Sequence, residues 1–119
     1  MTDPVLRNAF QNLAQSALEL AEVCDRDIKE FALSWHRIAS NARVLESADS
    51  VDLDDARSLL DAIRMSFRHS PGEFMEAYIV RSDPDEDLRE NDRLDALKKQ
   101  VGRAAAEVQK LMKIDPRSY

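Results

Sequence analysis

The fold is decided by residues 4–24, which read PVLRNAFQNLAQSALELAEVC. Thr2 or Asp3 can cap a helix here, and Pro4 suits its first turn because proline needs no hydrogen-bond acceptor there. Apolar side chains then recur in steps of three and four residues, which place them on one face of an α-helix. This stripe consists of Leu6, Phe10, Leu13, Ala17, Leu20 and Cys24. The stretch therefore predicts an amphipathic helix that buries one side.

The same spacing returns in three later segments of the chain. The second stripe comprises Ile28, Phe31, Trp35, Ile38, Ala42 and Leu45; the third comprises Leu53, Ala56, Leu59, Leu60, Ile63 and Phe67; the last comprises Leu94, Leu97, Val101, Ala104, Val108 and Leu111. We predict helices over residues 3–24, 27–48, 52–68 and 86–113, and a short helical or extended segment over 73–80. The fold class is all-α: one domain, residues 1–119, built as a single helical bundle of four principal helices plus one short segment.

The junction between the first two helices carries no glycine or proline. Asp27 and Glu30 have the spacing of a capping box, which favours a new helix starting at Asp27. A single long bent helix is the alternative, and an antiparallel hairpin is favoured because two narrow stripes can cover each other. The stripes could also form an intermolecular coiled-coil seam, but an intramolecular bundle satisfies all of them at once. Gly102, inside the last helix, is expected to let a neighbouring helix approach closely.

Composition excludes several classes of protein. The chain has 119 residues, 44% of them apolar, which is too many for a disordered chain. Its formal charge of -6 argues against a nucleic-acid binder, which needs lysine and arginine against phosphates. Two glycines leave no room for a glycine-rich phosphate loop.

No cofactor or metal site is expected. Asp83, Asp85 and Asp87 match the first positions of a calcium-binding EF-hand loop, but Leu88 stands where glycine is needed and Leu94 where the bidentate acid is needed. No Cys pair, Glu-x-x-His or His-x-x-x-His motif supports a zinc or di-iron site.

The single cysteine, Cys24, lies among apolar residues and is expected to be a small core residue rather than a reactive thiol. The residues from Met1 onward show no secretory signal pattern, and no apolar run has the length of a membrane helix. A cytoplasmic location is the expectation.

Acidic residues are concentrated in two stretches. Residues 49–55 carry four acids and no base, and residues 82–95 carry seven acids against two arginines, whereas residues 96–119 have a net charge of +4. Helix dipoles account for part of this pattern. A surface of this sign would attract a basic partner, and the Phe74–Val80 segment supplies aromatic residues beside it. The predicted partner-binding residues are Asp52, Asp54, Asp55, Phe74, Tyr78, Asp83, Asp85, Glu86, Asp87 and Glu90.

Arg64 and His69 have the Arg-x4-His spacing used by small helical ribonucleases of the HEPN type. Such a pair would place both side chains over a scissile phosphate. With many arginines in the chain, this spacing arises readily by chance, so a ribonuclease is a minor alternative.

Three segments carry a resemblance to a known family. They are the Trp-bearing helix at residues 34–39 (SWHRIA), the turn and apolar start at 70–74 (SPGEF) and the later helix at 90–97 (ENDRLDAL). Over about half of the chain they resemble a family of small all-helical bacterial domains, some of which look like immunity proteins of polymorphic toxin systems. The resemblance implies a bacterial cytoplasmic protein that works by binding, and it carries over no active-site residue.

The leading expectation is a non-enzymatic acidic protein-binding domain, an immunity protein or antitoxin-like inhibitor that caps a basic toxin surface. A structural or adaptor protein that dimerises through a helical stripe is the second hypothesis, and the HEPN-like ribonuclease is the third. The expected partner is a protein with a basic surface, with no nucleic acid or membrane, and a homodimer is compatible with the stripes.

Overall fold

The computed structural model of the protein describes residues 3–68 and 84–118 and has an all-α fold, as predicted. Its four principal helices are α1 (Pro4–Asp27), α2 (Ala32–Ser47), α3 (Leu53–Arg68) and α4 (Pro84–Met112), with single 3₁₀ turns at Lys29–Phe31 and Pro116–Ser118. The predicted segment 73–80 lies outside the described residues. The described helices are too short or too polar to cross a membrane.

Helices α1 and α2 are separate and form an antiparallel hairpin. Near the end of α1, Asp25 Oδ2 lies 2.6 Å from His36 Nε2, at the start of α2. Further away, Arg43 donates a hydrogen bond of 3.2 Å to Gln15. As residue numbers fall along α1, those of the α2 partners rise, which confirms the predicted hairpin and excludes a single bent helix.

The junction differs from its predicted form. Helix α1 continues to Asp27, so Asp27 does not cap the second helix. Ile28 leaves the helical conformation with its side chain buried, and a 3₁₀ turn follows in which Phe31 N–H donates to Ile28 O. No side-chain cap stands at the start of this turn or of α2. Burial of an apolar side chain, rather than a polar cap, accompanies the break between the helices.

Helices α3 and α4 complete a bundle in which each helix packs on two neighbours. The Trp35 and Phe67 rings, from the start of α2 and the end of α3, pack edge to face with centroids 5.1 Å apart. Gln100 of α4 donates a 3.0 Å hydrogen bond to Ser16 of α1, and Lys98 lies close enough to Cys24 for their charges to interact. From these contacts, α2 packs antiparallel to α3 and α1 packs antiparallel to α4. The helices therefore alternate in direction around the bundle.

One core joins all four helices. Its largest fully buried side chains include Trp35, Phe10, Leu13, Leu20, Ile38 and Leu94. The apolar stripes therefore pack within one chain, as predicted, and not in an intermolecular seam. Leu53 is an exception: it was expected on the buried side of α3, but it begins that helix and is 44% exposed.

Gly102, inside α4, and Lys113, directly after α4, are two positions where the backbone conformation bears on the choice of residue. The expectation that Gly102 permits close helix packing is wrong, because a Cβ atom built there meets nothing within 4 Å. At the end of the helix, Lys113 has a φ of 55°, the left-handed region that glycine favours. The bonds Ile114 N–H to Gln109 O and Lys113 N–H to Lys110 O form a Schellman motif around it.

Candidate protein-binding surface

Helix α4 changes character at Leu94. From Leu94 onward, side chains at regular intervals reach the core, and Leu94 itself is fully buried. Before it, none of the described side chains from Asp85 to Arg93 is buried, although this part of the helix makes roughly two and a half turns. Within it Leu88 is 64% exposed. We name residues 85–93 the outer segment of α4.

The outer segment carries four of the predicted partner-binding residues. Asp85 and Glu86 are exposed, and Glu90 is half-buried on the side nearer the bundle. Asp87 belongs to the same helix. On its own side of the helix, the exposed Leu88 has Asp85 and Asp92 as its neighbours, whereas Arg89 and Arg93 lie on adjoining sides of the segment.

The predicted acids at the start of α3 have local roles instead. Asp52 accepts a 2.7 Å hydrogen bond from Asp54 N–H and so caps the helix. Asp54 pairs with Arg57 at 3.1 Å, one helical turn away. Asp55 lines a cavity of about 330 Å³ beside Val44.

The structure does not bring the two acidic stretches together. The Asp55 cavity lies at the C-terminal end of α2, which is level with the middle of α1 and with residues near 105 of α4. The outer segment lies past the opposite end of α1, since Lys98 is level with Cys24. From the rise of an α-helix, Asp55 and Asp85 are about 30 Å apart along the bundle. One partner surface spanning both stretches would have to follow most of the molecule's length.

Three predicted partner-binding residues, Phe74, Tyr78 and Asp83, lie outside the described residues, as does His69 of the ribonuclease hypothesis. Arg64 is exposed on α3 and lines a groove of about 640 Å³ between α3 and α4. The opposite wall of that groove includes Gly102 and Ala106.

The buried ionisable groups are shielded from reagents and substrates. Burial, together with the nearby Asp25 carboxylate, raises the pKa of the Cys24 thiol to about 12. Cys24 is thus a protonated core residue, as the sequence predicted. Lys98, which the sequence analysis did not single out, is 6% exposed, and burial lowers its pKa while Asp95 opposes the shift. Within residues 3–68 and 84–118, no group of three or more His, Cys, Asp or Glu could hold a metal.

Charge on the outward side of α4 has an arrangement that was not predicted from the sequence. This side, named here the solvent face, is exposed along its whole length. It consists of Asp85, Leu88, Asp92, Asp95, Lys99, Gly102, Arg103, Ala106 and Lys110. Every charge in its first half is negative and every charge in its second half is positive. Plotting the sequence at 100° per residue reveals this division, whereas the net charges of whole stretches do not.

No protein-family model, curated protein or solved structure matches the chain. The resemblance to immunity proteins therefore stays a prediction, and the functional argument depends on the surface itself.

Proposed function

We propose that the protein is a binding domain that uses the outer segment of α4 to dock on a basic surface of a partner protein. The observation that carries this proposal is the division of α4 at Leu94. A helix that buries side chains after Leu94 continues outward with exposed acids and the exposed Leu88. The described side chains of this segment are not buried in the core, and Glu86, Leu88 and Asp92 are exposed where another molecule can contact them.

The chemistry of the segment favours a protein partner. Phosphate backbones would be repelled by Asp85, Glu86 and Asp92. A basic protein surface would be attracted by these acids over several ångströms, which raises the rate of association. Leu88 adds an apolar contact that can be desolvated at the centre of such an interface.

The finer proposal concerns the class of partner. Clefts that act on nucleic acid are basic, so an acidic helix inserted there would attract the enzyme and exclude its substrate. This chemistry agrees with the resemblance to immunity proteins, and we propose a toxin of that class as the partner. Inhibition would require no catalytic group on this chain.

The test is co-expression with a nuclease toxin, taken from the genes that neighbour the gene for this protein. The parent protein should bind the toxin and restore growth. The double variant Asp85→Lys, Glu86→Lys should bind at least about tenfold more weakly, because it puts like charges at the interface. Circular dichroism of this variant verifies that α4 remains helical, since the acids also suit its N-terminal dipole.

A matched control reverses the same amount of charge elsewhere. Asp49 and Asp61 are exposed and lie outside α4, before α3 and within it, so Asp49→Lys, Asp61→Lys should leave binding within about threefold. Equal losses from both double variants would contradict a localised site, and a parent that neither binds nor protects would contradict the toxin proposal.

A further inference from the structure

We propose that the solvent face of α4 is also a self-association surface: two copies pair their α4 helices antiparallel about a two-fold axis beside residues 97 and 98. This goes beyond the proposed function because it requires no other partner. The apolar stripes cannot supply the contact, since they are already packed in the core. The occupant of the solvent face is a second copy of this chain.

Along this face, four charged side chains have no ion-pair partner among the described residues. All nine of its side-chain positions are exposed. Asp92, Lys99, Arg103 and Lys110 form no ion pair with any described residue. A continuous exposed helix face of this length, with four charges that no described residue pairs, offers several contacts to one straight partner helix.

The charge order along the solvent face is complementary to that of an antiparallel copy of the same face. A basic partner would match only the first half of the face and an acidic partner only the second. An antiparallel copy matches both, because its halves arrive in reverse order. With the axis beside residues 97 and 98, Asp92 lies opposite Arg103 of the second copy and Asp85 lies opposite Lys110. Asp95 lies within one residue's rise, about 1.5 Å, of Lys99 of the second copy. The two-fold symmetry repeats each pair, so the interface is isologous and closes as a dimer.

The exposed apolar residues of the solvent face also fit together in the antiparallel pair. In the same register, Leu88 lies within one residue's rise, about 1.5 Å, of Ala106 of the second copy. Both positions belong to the solvent face, because eighteen residues make about five full turns. Open space surrounds the Gly102 position, and Gly102 and Ala106 line one wall of the groove between α3 and α4. The exposed leucine of one copy thus meets the edge of a groove in the other.

Such a contact is mostly ionic and exposed, so the dimer should be weak and sensitive to salt. It also covers the outer segment that the proposed function assigns to a basic partner. The partner and the second copy would therefore compete for the same acids. At high protein concentration, dimerisation would make the outer segment less accessible to the partner.

Sedimentation equilibrium of the purified chain tests the inference. At low ionic strength, on the order of 10 mM, and protein concentrations of hundreds of micromolar, the weight-average mass should rise toward twice 13.6 kDa. At about 1 M salt, where the screening length is about 3 Å, it should return to the monomer. A monomer under both conditions overturns the inference.

A charge swap tests the register. Asp92→Arg and Arg103→Asp, made singly, should each shift the dimer dissociation constant upward at least tenfold, because each places like charges opposite one another twice. The double variant should recover the parent's dissociation constant to within about threefold. Failure of the double variant to recover would overturn the proposed pairing.

Matched leucines provide the control. Leu88 on α4 is 64% exposed and Leu33 on α2 is 62% exposed. Leu88→Lys should weaken the dimer at least tenfold, because it places a positive charge against the basic half of the second copy, and Leu33→Lys should leave it intact; equal effects would contradict the face assignment. The swap and leucine experiments use this chain alone, so their failure is distinct from failure to bind a toxin.

Discussion

The α1–α2 hairpin and helix α4 have similar apolar stripes, but they differ in how many of their side chains are buried. The hairpin holds most of the buried side chains of the described core, including Trp35 and Phe10. Helix α4 is the longest described helix, with 29 residues, yet fewer of its side chains are buried. Its outer segment buries none of its described side chains.

The difference separates stability from recognition along the chain. Burial of apolar surface stabilises the fold, and that burial is concentrated in the hairpin and the inner part of α4. The outer segment contributes charge and one exposed leucine instead. Substitutions should therefore affect unfolding in one region and binding in the other, and each experiment below tests that division.

The largest effect on stability is expected at the hairpin's central aromatic residue. Trp35 is fully buried and packs against Phe67, so Trp35→Ala should reduce the free energy of unfolding by about 3–5 kcal/mol. Leu33→Ala, two residues earlier but exposed, should change it by less than about 0.5 kcal/mol. Urea titrations measure both, and similar values would mean that the hairpin does not hold the core as described.

The next prediction concerns the thiol of Cys24. Because its side chain is fully buried and its pKa is raised to about 12, the native protein should react with iodoacetamide at pH 8 at least about a thousandfold more slowly than the urea-unfolded chain. The raised pKa also predicts how the free energy of unfolding depends on pH. Above the unfolded pKa of about 8.5 the thiol ionises in the unfolded chain but stays protonated in the folded one, so the free energy of unfolding should fall as the pH rises. In the Cys24→Ala variant, the free energy of unfolding should not show this decrease above about pH 8.5. Rapid native labelling would contradict the burial.

A smaller difference is expected between two acids at the start of α3. Asp52→Ala removes the helix cap and should cost about 1 kcal/mol. Asp54→Ala removes an exposed ion pair with Arg57 and should cost less than about 0.5 kcal/mol. Thermal unfolding distinguishes them, and the reverse order would show that the hydrogen bond from Asp52 does not act as the cap.

The outward side of α4 supplies a stabilising prediction. Gly102 is helical and a Cβ atom there would meet open space, so Gly102→Ala should raise the free energy of unfolding by about 1 kcal/mol. The gain arises because glycine loses more backbone freedom than alanine on folding. A loss of stability, measured in high salt where the chain is monomeric, would indicate a close contact at this position.

Much of this fold was predictable from local signals. The helix starts at Pro4 and Leu53 lie within one residue of their predictions, because a proline and the Asp52 cap mark them. The stripes identified most buried residues, since helical spacing alone decides which side chains share a face. The α1–α2 junction was predicted less well, because Asp27 resembles a cap in sequence while the break depends on where Ile28 is buried.

The candidate surface was harder to derive than the core. The outer segment was identified as acidic, but its exposure depends on how far α4 extends past α1, which helix spacing does not specify. The separation of Asp55 from Asp85 likewise depends on the direction of each helix. Lys98 was missed because a lysine at the edge of a stripe reads as solvent-exposed until a neighbouring helix covers it.

The division of α4 is tested most directly by two leucines on that one helix. Leu94 is fully buried and Leu88 is 64% exposed, six residues apart. In urea titrations at about 1 M salt, where self-association is screened, Leu94→Ala should lose about 2–5 kcal/mol of unfolding free energy. Leu88→Ala should lose less than about 0.5 kcal/mol. Equal losses at the two positions would show that the outer segment belongs to the core and would contradict its assignment as a binding surface.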